Sequence, residues 1–222
     1  MAAATVIFLI AASYFAGAVP FGLIVVRKLK GIDIRTAGSG NIGTTNVARA
    51  AGKKIALLVL ALDFAKGFAP VFGAQVLGPL YGETRLVPIA CGLMAVVGHM
   101  FPIYLKFKGG KGVATGAGML TALAPEALLA AFAVWVAMFA ITRYVSLASI
   151  CAAVILPVSF VAIKGGKAFG EDIWITVFCV ILGALVITRH YSNIKRLLAK
   201  TENRFAERPS NENDTEQADE EG

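Results

Sequence analysis

Two histidines and three cysteines in 222 residues leave this sequence short of the side chains that hold metals or form disulfides. Cys91, Cys151 and Cys179 all fall inside apolar runs and read as small hydrophobes. His99 and His190 alone do not make a zinc site. Charge is scarce too: 16% of residues are charged against 57% hydrophobic, and the mean hydropathy is +0.72. A soluble domain of this length cannot bury so much apolar surface, whereas a bilayer accepts helices of about 20 apolar residues each. The fold class is therefore all-α, a polytopic membrane protein.

Helices are expected near residues 4–26, 55–78, 86–105, 113–124, 126–142, 145–163 and 172–189, about seven transmembrane helices in all. The first run has no basic segment before it and continues into Arg27, Lys28 and Lys30, so it is expected to span the membrane rather than be cleaved. The stretch 113–142 divides at Ala124-Pro125-Glu126, where proline and an acidic residue suit the first turn of a new helix. The first piece is then short for a bilayer of about 30 Å. Seven spans put 17 of the 21 Lys and Arg on one side. By the positive-inside rule that side is cytoplasmic, with the N-terminus outside and the C-terminus inside. Residues 1–200 form the membrane domain. Residues 201–222 carry eight acidic and two basic groups and few large apolar ones, and are expected to be a disordered acidic tail. Without that tail the net charge is +13, which suits anionic lipid and anionic substrates. Nucleic acid is not implied, because no aromatic stacking platform or recognition helix accompanies the charge.

The most distinctive stretch runs from Lys106 to Gly118, K-F-K-G-G-K-G-V-A-T-G-A-G, between two apolar segments. Gly109, Gly110 and Gly112 would let backbone N–H groups approach an anion, Lys111 adds a point charge, and a helix can open just after. It is not a Walker A loop, since Gly112 stands where Ser or Thr would hold magnesium. The competing reading is a flexible turn with lysines at the lipid headgroups. The first basic loop holds a second cluster, G-S-G-N-I-G-T-T-N-V-A-R over residues 38–49. Ser39, Asn41, Thr45 and Asn46 offer neutral hydrogen bonds and Arg49 a bidentate clamp, though each alone is equally a turn or cap residue. A third cluster, R-H-Y-S-N-I-K-R-L from Arg189, puts His190 and Asn193 on one helical face, where the ordinary role is a juxtamembrane amphipathic segment.

Between these clusters, Asp63 and Lys66 share a helical face inside the second span and read either as an internal ion pair bracing the bundle, the favoured reading, or as part of a polar pathway. His99 reads as a packing histidine, and Ser146 as a helix cap or a phosphate contact. Two classes of function remain open on the residues alone, an enzyme handling phosphorylated substrates and a permease for a phosphorylated metabolite. The three clusters are not repeated between the two halves of the chain and all lie on one side, unlike the paired broken helices of transporters.

Together G-S-G-N-I-G-T-T-N-x-x-R, K-F-K-G-G-K-G-V-A-T and H-x-x-N-I-x-R-L resemble the three signature motifs of the bacterial acyl-phosphate:glycerol-3-phosphate acyltransferases, the PlsY family. The resemblance covers about residues 5–200 and extends to L-D-F-A-K-G, G-H-M-F-P and R-Y-V-S-L-A-S. Thr44 departs from it, standing where Ala or Ser is more usual. The resemblance implies a seven-helix enzyme of the bacterial inner membrane that moves an acyl chain from acyl phosphate to the 1-hydroxyl of glycerol 3-phosphate, giving lysophosphatidic acid and phosphate. It implies no metal, no cofactor and no acyl-CoA. The residues agree with that chemistry. Neither histidine begins a His-x4-Asp dyad, since Tyr104 and Lys195 stand at the aspartate positions, and there is no G-x-S-x-G elbow. An acyl phosphate is already activated, so the protein has chiefly to position and neutralise two phosphates. The expected catalytic set is Ser39, Asn41, Lys111 and His190. The expected substrate contacts are Thr45, Asn46, Arg49, Gly109, Gly110, Gly112, Ser146 and Asn193. Of these, the glycine loop with Lys111, Ser39 and Thr45 is assigned to acyl phosphate, and Arg49, Ser146, His190 and Asn193 to glycerol 3-phosphate.

Overall fold

The computed structural model describes residues 2–82 and 85–205, and these are helical throughout, with turns and loops between. In chain order the helices are α1 Ala2–Ala18, α2 Phe21–Lys30, α3 Thr44–Ala51, α4 Lys53–Val76, α5 Leu86–Met100, α6 Val113–Leu123, α7 Pro125–Thr142, α8 Val145–Lys164, α9 Ile173–Arg189 and α10 Tyr191–Leu198. Among the described residues five segments are long and apolar enough to cross a membrane: Ala2–Lys30, Lys53–Val76, Leu86–Leu105, Pro125–Thr142 and Val145–Phe169. The seven apolar segments expected from sequence are all helical, but two are short. Helix α6 has 11 residues, about 16 Å at 1.5 Å per residue. Helix α9 has 17 residues and bends by 57° into α10.

Each break has a local cause. The run expected as one helix over 4–26 is interrupted after Ala18, because Pro20 has no N–H to continue the ladder. Helix α6 stops at Ala124, and Pro125 opens α7 with Glu126 in its first turn. Helix α10 is amphipathic, with Lys195 and Arg196 in its last turn, and α3 is short and polar, so neither reads as a span.

The bundle is drawn together by glycines where helix backbones meet. A Cβ at Gly17 of α1 would lie 2.0 Å from the Ala95 carbonyl of α5, and one at Gly118 of α6 would lie 2.0 Å from the Phe64 carbonyl of α4. In a membrane such close approach supplies the van der Waals contact that holds helices together. The larger core, with Phe160, Phe178, Met100 and Met119 buried, lies among α5, α6, α8 and α9. A second core around Val26, Ile34, Val47 and Val59 seats the first basic loop on α4. At the ends of the bundle remote from the glycine loop, Arg85 pairs with Asp172 and Lys164 with Glu126.

Residues 206–222, most of the expected acidic tail, lie outside the described residues. Thr201–Phe205, which the sequence reading counts with that tail, lie against the membrane domain. The Phe205 N–H donates to the Arg143 carbonyl at 2.9 Å, and its ring meets Phe139 edge-on.

Candidate active site

The first basic loop is built around Asn46. Its Nδ2 donates to the carbonyls of Ile34, Ala37 and Asn41 at 2.9–3.1 Å, and its Oδ1 accepts from the Ser39 N–H at 2.9 Å. The side chain is 2% exposed. Asn46 was expected to bind substrate, but its hydrogen-bonding capacity is spent on the loop, so its part is to hold Ser39 in place. Asn41 Oδ1 accepts from the Gly43 N–H at 2.8 Å and shapes the turn into α3. Gly38 (φ +56°) and Gly40 (φ +69°) take the left-handed backbone that this wrapping requires. Thr45 and Arg49 then face inward along α3, and Arg49 Nη2 donates to the Asn203 carbonyl at 3.2 Å.

The glycine loop differs from expectation in a way that matters for anion binding. Gly109 and Gly110 do not offer their N–H groups to an anion. Those groups donate to the Met100 and His99 carbonyls at 3.2 and 3.0 Å, closing off the end of α5. Their own carbonyls accept from Arg189, at 2.8 Å for Gly109 and 3.1 Å for Gly110. These positions are glycine because of packing: a Cβ at Gly110 would fall 2.1 Å from His99 Nε2, and one at Gly109 would fall 2.2 Å from the His99 carbonyl. The donors that remain are at the start of α6, where first-turn N–H groups have no intrahelical acceptor and the helix dipole favours negative charge. Gly112 (φ +80°) makes the turn that aims them.

Lys111 reaches across from this loop to α10, donating to Asn193 Oδ1. Asn193 Nδ2 donates to Glu202 Oε1 at 2.6 Å, Ser146 Oγ to the same oxygen at 2.7 Å, and Arg196 Nε to Glu202 Oε2 at 2.7 Å. Burial works to raise the Glu202 carboxyl, but the hydrogen bonds from Ser146, Asn193 and Arg196 outweigh it and hold it below the usual carboxylate range. Burial pushes the Lys111 ammonium down to about 8. Glu202 opposes the shift, and Arg196, Arg49 and Arg189 add to it. His190 lies 2% exposed at the bend between α9 and α10, with Nδ1 2.7 Å from the Val186 carbonyl. A carbonyl only accepts, so the proton sits on Nδ1 and Nε2 is left as an acceptor in the neutral ring.

A single cavity of about 620 Å³ joins these pieces. Of the residues singled out from sequence, Ser39, Asn41, Thr45, Asn46, Arg49, Lys111, Gly112, Ser146, His190 and Asn193 all line it, while Gly109 and Gly110 do not. Glu202 and Arg196 also line it and were missed, the first because it was counted with the acidic tail. The signal was present in Thr201–Phe205, where Glu202 follows the basic helix and Phe205 supplies an apolar anchor. At its other end the cavity is walled by Leu57 and Leu60 of α4, Ala117 of α6, and Phe132, Trp135 and Phe139 of α7. A smaller apolar cavity of about 100 Å³ adjoins it through Ala117, Phe132 and Trp135, reaching Leu120 and Leu156. One end therefore presents cations and hydrogen bonds, and the other a slot for a hydrocarbon chain.

The model of the glycerol-3-phosphate acyltransferase family matches residues 7–200. The glycerol-3-phosphate acyltransferases of Aquifex aeolicus (strain VF5) and Myxococcus xanthus (strain DK1622) are 44% and 45% identical to this chain, covering 90% and 89% of it and 98% of each relative. That of Syntrophotalea carbinolica is 46% identical over 87% of this chain and 94% of its own. Among solved structures, PlsY (YgiH), an integral membrane glycerol 3-phosphate acyltransferase, superposes in its glycerol 3-phosphate form with a TM-score of 0.79 at 42% identity, covering 91% of this chain and 96% of that one. Its lysophosphatidic acid form gives 0.78. Motifs, cavity and relatives agree, and the chain belongs to the glycerol-3-phosphate acyltransferase family.

Proposed function

We propose that this protein transfers a fatty acyl group from acyl phosphate to the 1-hydroxyl of glycerol 3-phosphate, at the cytoplasmic face of a bacterial inner membrane. The glycerol oxygen bonds to the acyl carbon, the carbon–oxygen bond to phosphate breaks, and the hydroxyl proton leaves with the phosphate. The observation that carries this reading is the two-ended cavity, with Lys111, Arg49 and Arg196 gathered at one end and an apolar slot between α4 and α7 at the other. Such a cavity takes two anionic heads and one chain at once, which a permease for a small phosphorylated metabolite has no need to do.

In this reading Lys111 and the first turn of α6 hold the donor's phosphate, with Ser39 and Thr45 beside it. Arg49 and Arg196 receive the phosphate of glycerol 3-phosphate, on a wall whose Ser146 and Asn193 are kept in register by Glu202. His190 Nε2, as an acceptor, suits a glycerol hydroxyl. Fixing two reactants in this way supplies much of the rate enhancement when the leaving group is already good. The test is turnover by the purified protein in detergent with palmitoyl phosphate and glycerol 3-phosphate. Lysophosphatidate and phosphate should appear in equal amounts, and palmitoyl-CoA should not replace the donor. No product, together with glycerol 3-phosphate exchange across proteoliposomes, would instead establish a permease.

A further inference from the structure

Asp63, Lys66 and His99 are 2%, 6% and 4% exposed; Asp63 and His99 line the cavity together with residues of both loop motifs, and Lys66 stands one helical turn further along α4 from Asp63. Lys66 Nζ is 2.8 Å from Asp63 Oδ1 and donates to the Val19 carbonyl at 2.8 Å. Val19 is the break between α1 and α2. From there α2 turns away with Gly22 pressed on the first loop, where a Cβ would fall 1.8 Å from the Ile42 carbonyl. Ile42 sits between Asn41 and Gly43 of the first motif, so a shift of the break is passed directly to that motif. On the other side, Asp63 Oδ1 lies 3.7 Å from His99 Nδ1. The His99 carbonyl accepts from the Gly110 N–H at 3.0 Å, and its ring fills the space a Gly110 Cβ would need. Lys111 is the next residue. A line of neighbouring groups thus runs from the first motif through Lys66, Asp63 and His99 to the glycine loop, its Asp63–His99 step being a 3.7 Å approach of two buried polar atoms rather than a hydrogen bond.

We propose that Lys66, Asp63 and His99 form a buried polar strut that fixes the spacing of the first motif and the glycine loop, and that the three are positioning residues for acyl transfer. Bracing a membrane bundle does not call for charge. An apolar pair packs at least as well, and a buried ion pair must offset its own desolvation. What charge adds is direction: a lysine with one carbonyl and one carboxylate to satisfy holds both at fixed distances. Because the two motifs are read above as acceptor and donor sites, the inference rests on the acyltransferase reading. Small errors in their spacing cost rate rather than affinity.

The test replaces both charges at once, Asp63→Leu with Lys66→Met, so that neither is left unpaired. The variant should be recovered folded, with a thermal unfolding temperature close to wild type. Its KM for each substrate should change little, and its kcat should fall by about tenfold or more. A folded variant with wild-type kcat, or one whose loss lies wholly in KM, overturns the strut. His99→Phe keeps a ring beneath Gly110 and removes the nitrogen that faces Asp63. It should show the same fall in kcat, and full kcat there overturns the proposal if the double variant does not fold. A readout free of activity separates this from the functional reading. Spin labels on cysteines at Thr36 and Lys108 should give a broader distance distribution in the double variant than in the labelled parent, and an unchanged distribution refutes the strut. Absence of turnover by the parent itself would defeat only the functional reading.

Discussion

Lys111 and Lys106 stand in the same loop and face different surroundings: Lys111 bonds Asn193 inside the cavity, while Lys106 is exposed at the end of a short turn after α5. Losing one desolvated, charge-assisted contact made in the transition state costs about 2–4 kcal/mol, roughly 30- to 1000-fold in rate. Lys111→Ala should lose activity on that scale, and Lys106→Ala should stay within about fivefold, as a screened headgroup charge does. Equal small losses would make the loop an anchor. Lys111 also sets a pH dependence. Burial favours its neutral form, so the charge disappears as pH rises through about 8, and kcat/KM should fall above that pH. Glu202 supports the charged form, so Glu202→Ala should move this limb to lower pH, and Lys111→Arg should remove it. At this scale the sequence was informative about which polar residues meet and less so about what each does. Ser39, Arg49 and Asn193 were legible because small donors and cations clustered in polar loops stand out against apolar surroundings. That Gly109 and Gly110 serve packing, and that Asn46 serves its own loop, depends on which backbone groups are left over at the end of α5 and around Gly38. Glu202 was hidden because it was counted with the acidic tail, and its only local signals are the basic helix before it and the apolar Phe205 after it.

At the scale of elements, α6 is the unusual piece, a short helix whose first turn faces the cavity and whose flank lies on α4. Gly67 and Gly118 make that flank, with a Cβ at either falling 2.0 Å from a backbone carbonyl of the facing helix. Backbone cannot rotate away as a side chain can. Gly118→Ala should therefore force α4 and α6 apart at a cost of about 1–3 kcal/mol, read as a lower thermal unfolding temperature in detergent. Gly73→Ala on the same α4, with nothing within 4 Å of its Cβ, should unfold like the parent. If both behave alike, the α4–α6 contact is not what limits stability. The shortness of α6 was legible from Ala124-Pro125-Glu126, since proline followed by an acidic residue marks a helix start whatever precedes it. The break after Ala18 was not. Apolar residues run unbroken through it, and a proline within a hydrophobic stretch is compatible with a continuous membrane helix when neighbours satisfy the freed backbone groups; at this break the Ala16 carbonyl accepts from the Val19 N–H and Lys66 donates to the Val19 carbonyl. Helix α3 was masked by glycines and asparagines that shape the loop before it rather than the helix itself.

For the whole molecule, apolar helices alone do not set orientation in the membrane. The asymmetry of charge does: among the described residues 16 of the 20 Lys and Arg belong to the segments on the cavity's side, including the glycine loop, the first basic loop and α10. Opposite them stand Arg85, Lys164 and Lys167, of which Arg85 pairs with Asp172 and Lys164 with Glu126, so that face presents little net positive charge. Translocating the cavity side would carry many cations across the bilayer, and translocating the other would carry few. The cavity should therefore open to the cytoplasm, where phosphorylated substrates are made, with the N-terminus outside. Single cysteines at Thr36, Ser192 and Gly166, in a chain lacking Cys91, Cys151 and Cys179, test this directly, because all three positions are exposed. An impermeant thiol reagent applied to intact cells should label the cysteine at Gly166 and spare those at Thr36 and Ser192 until the membrane is opened. Labelling at Thr36 in intact cells would reverse the orientation and place the cavity outside. Labelling at Ser192 alone would mean that the bend between α9 and α10 does not keep α10 on the cavity's side, and the third motif could not then join the other two.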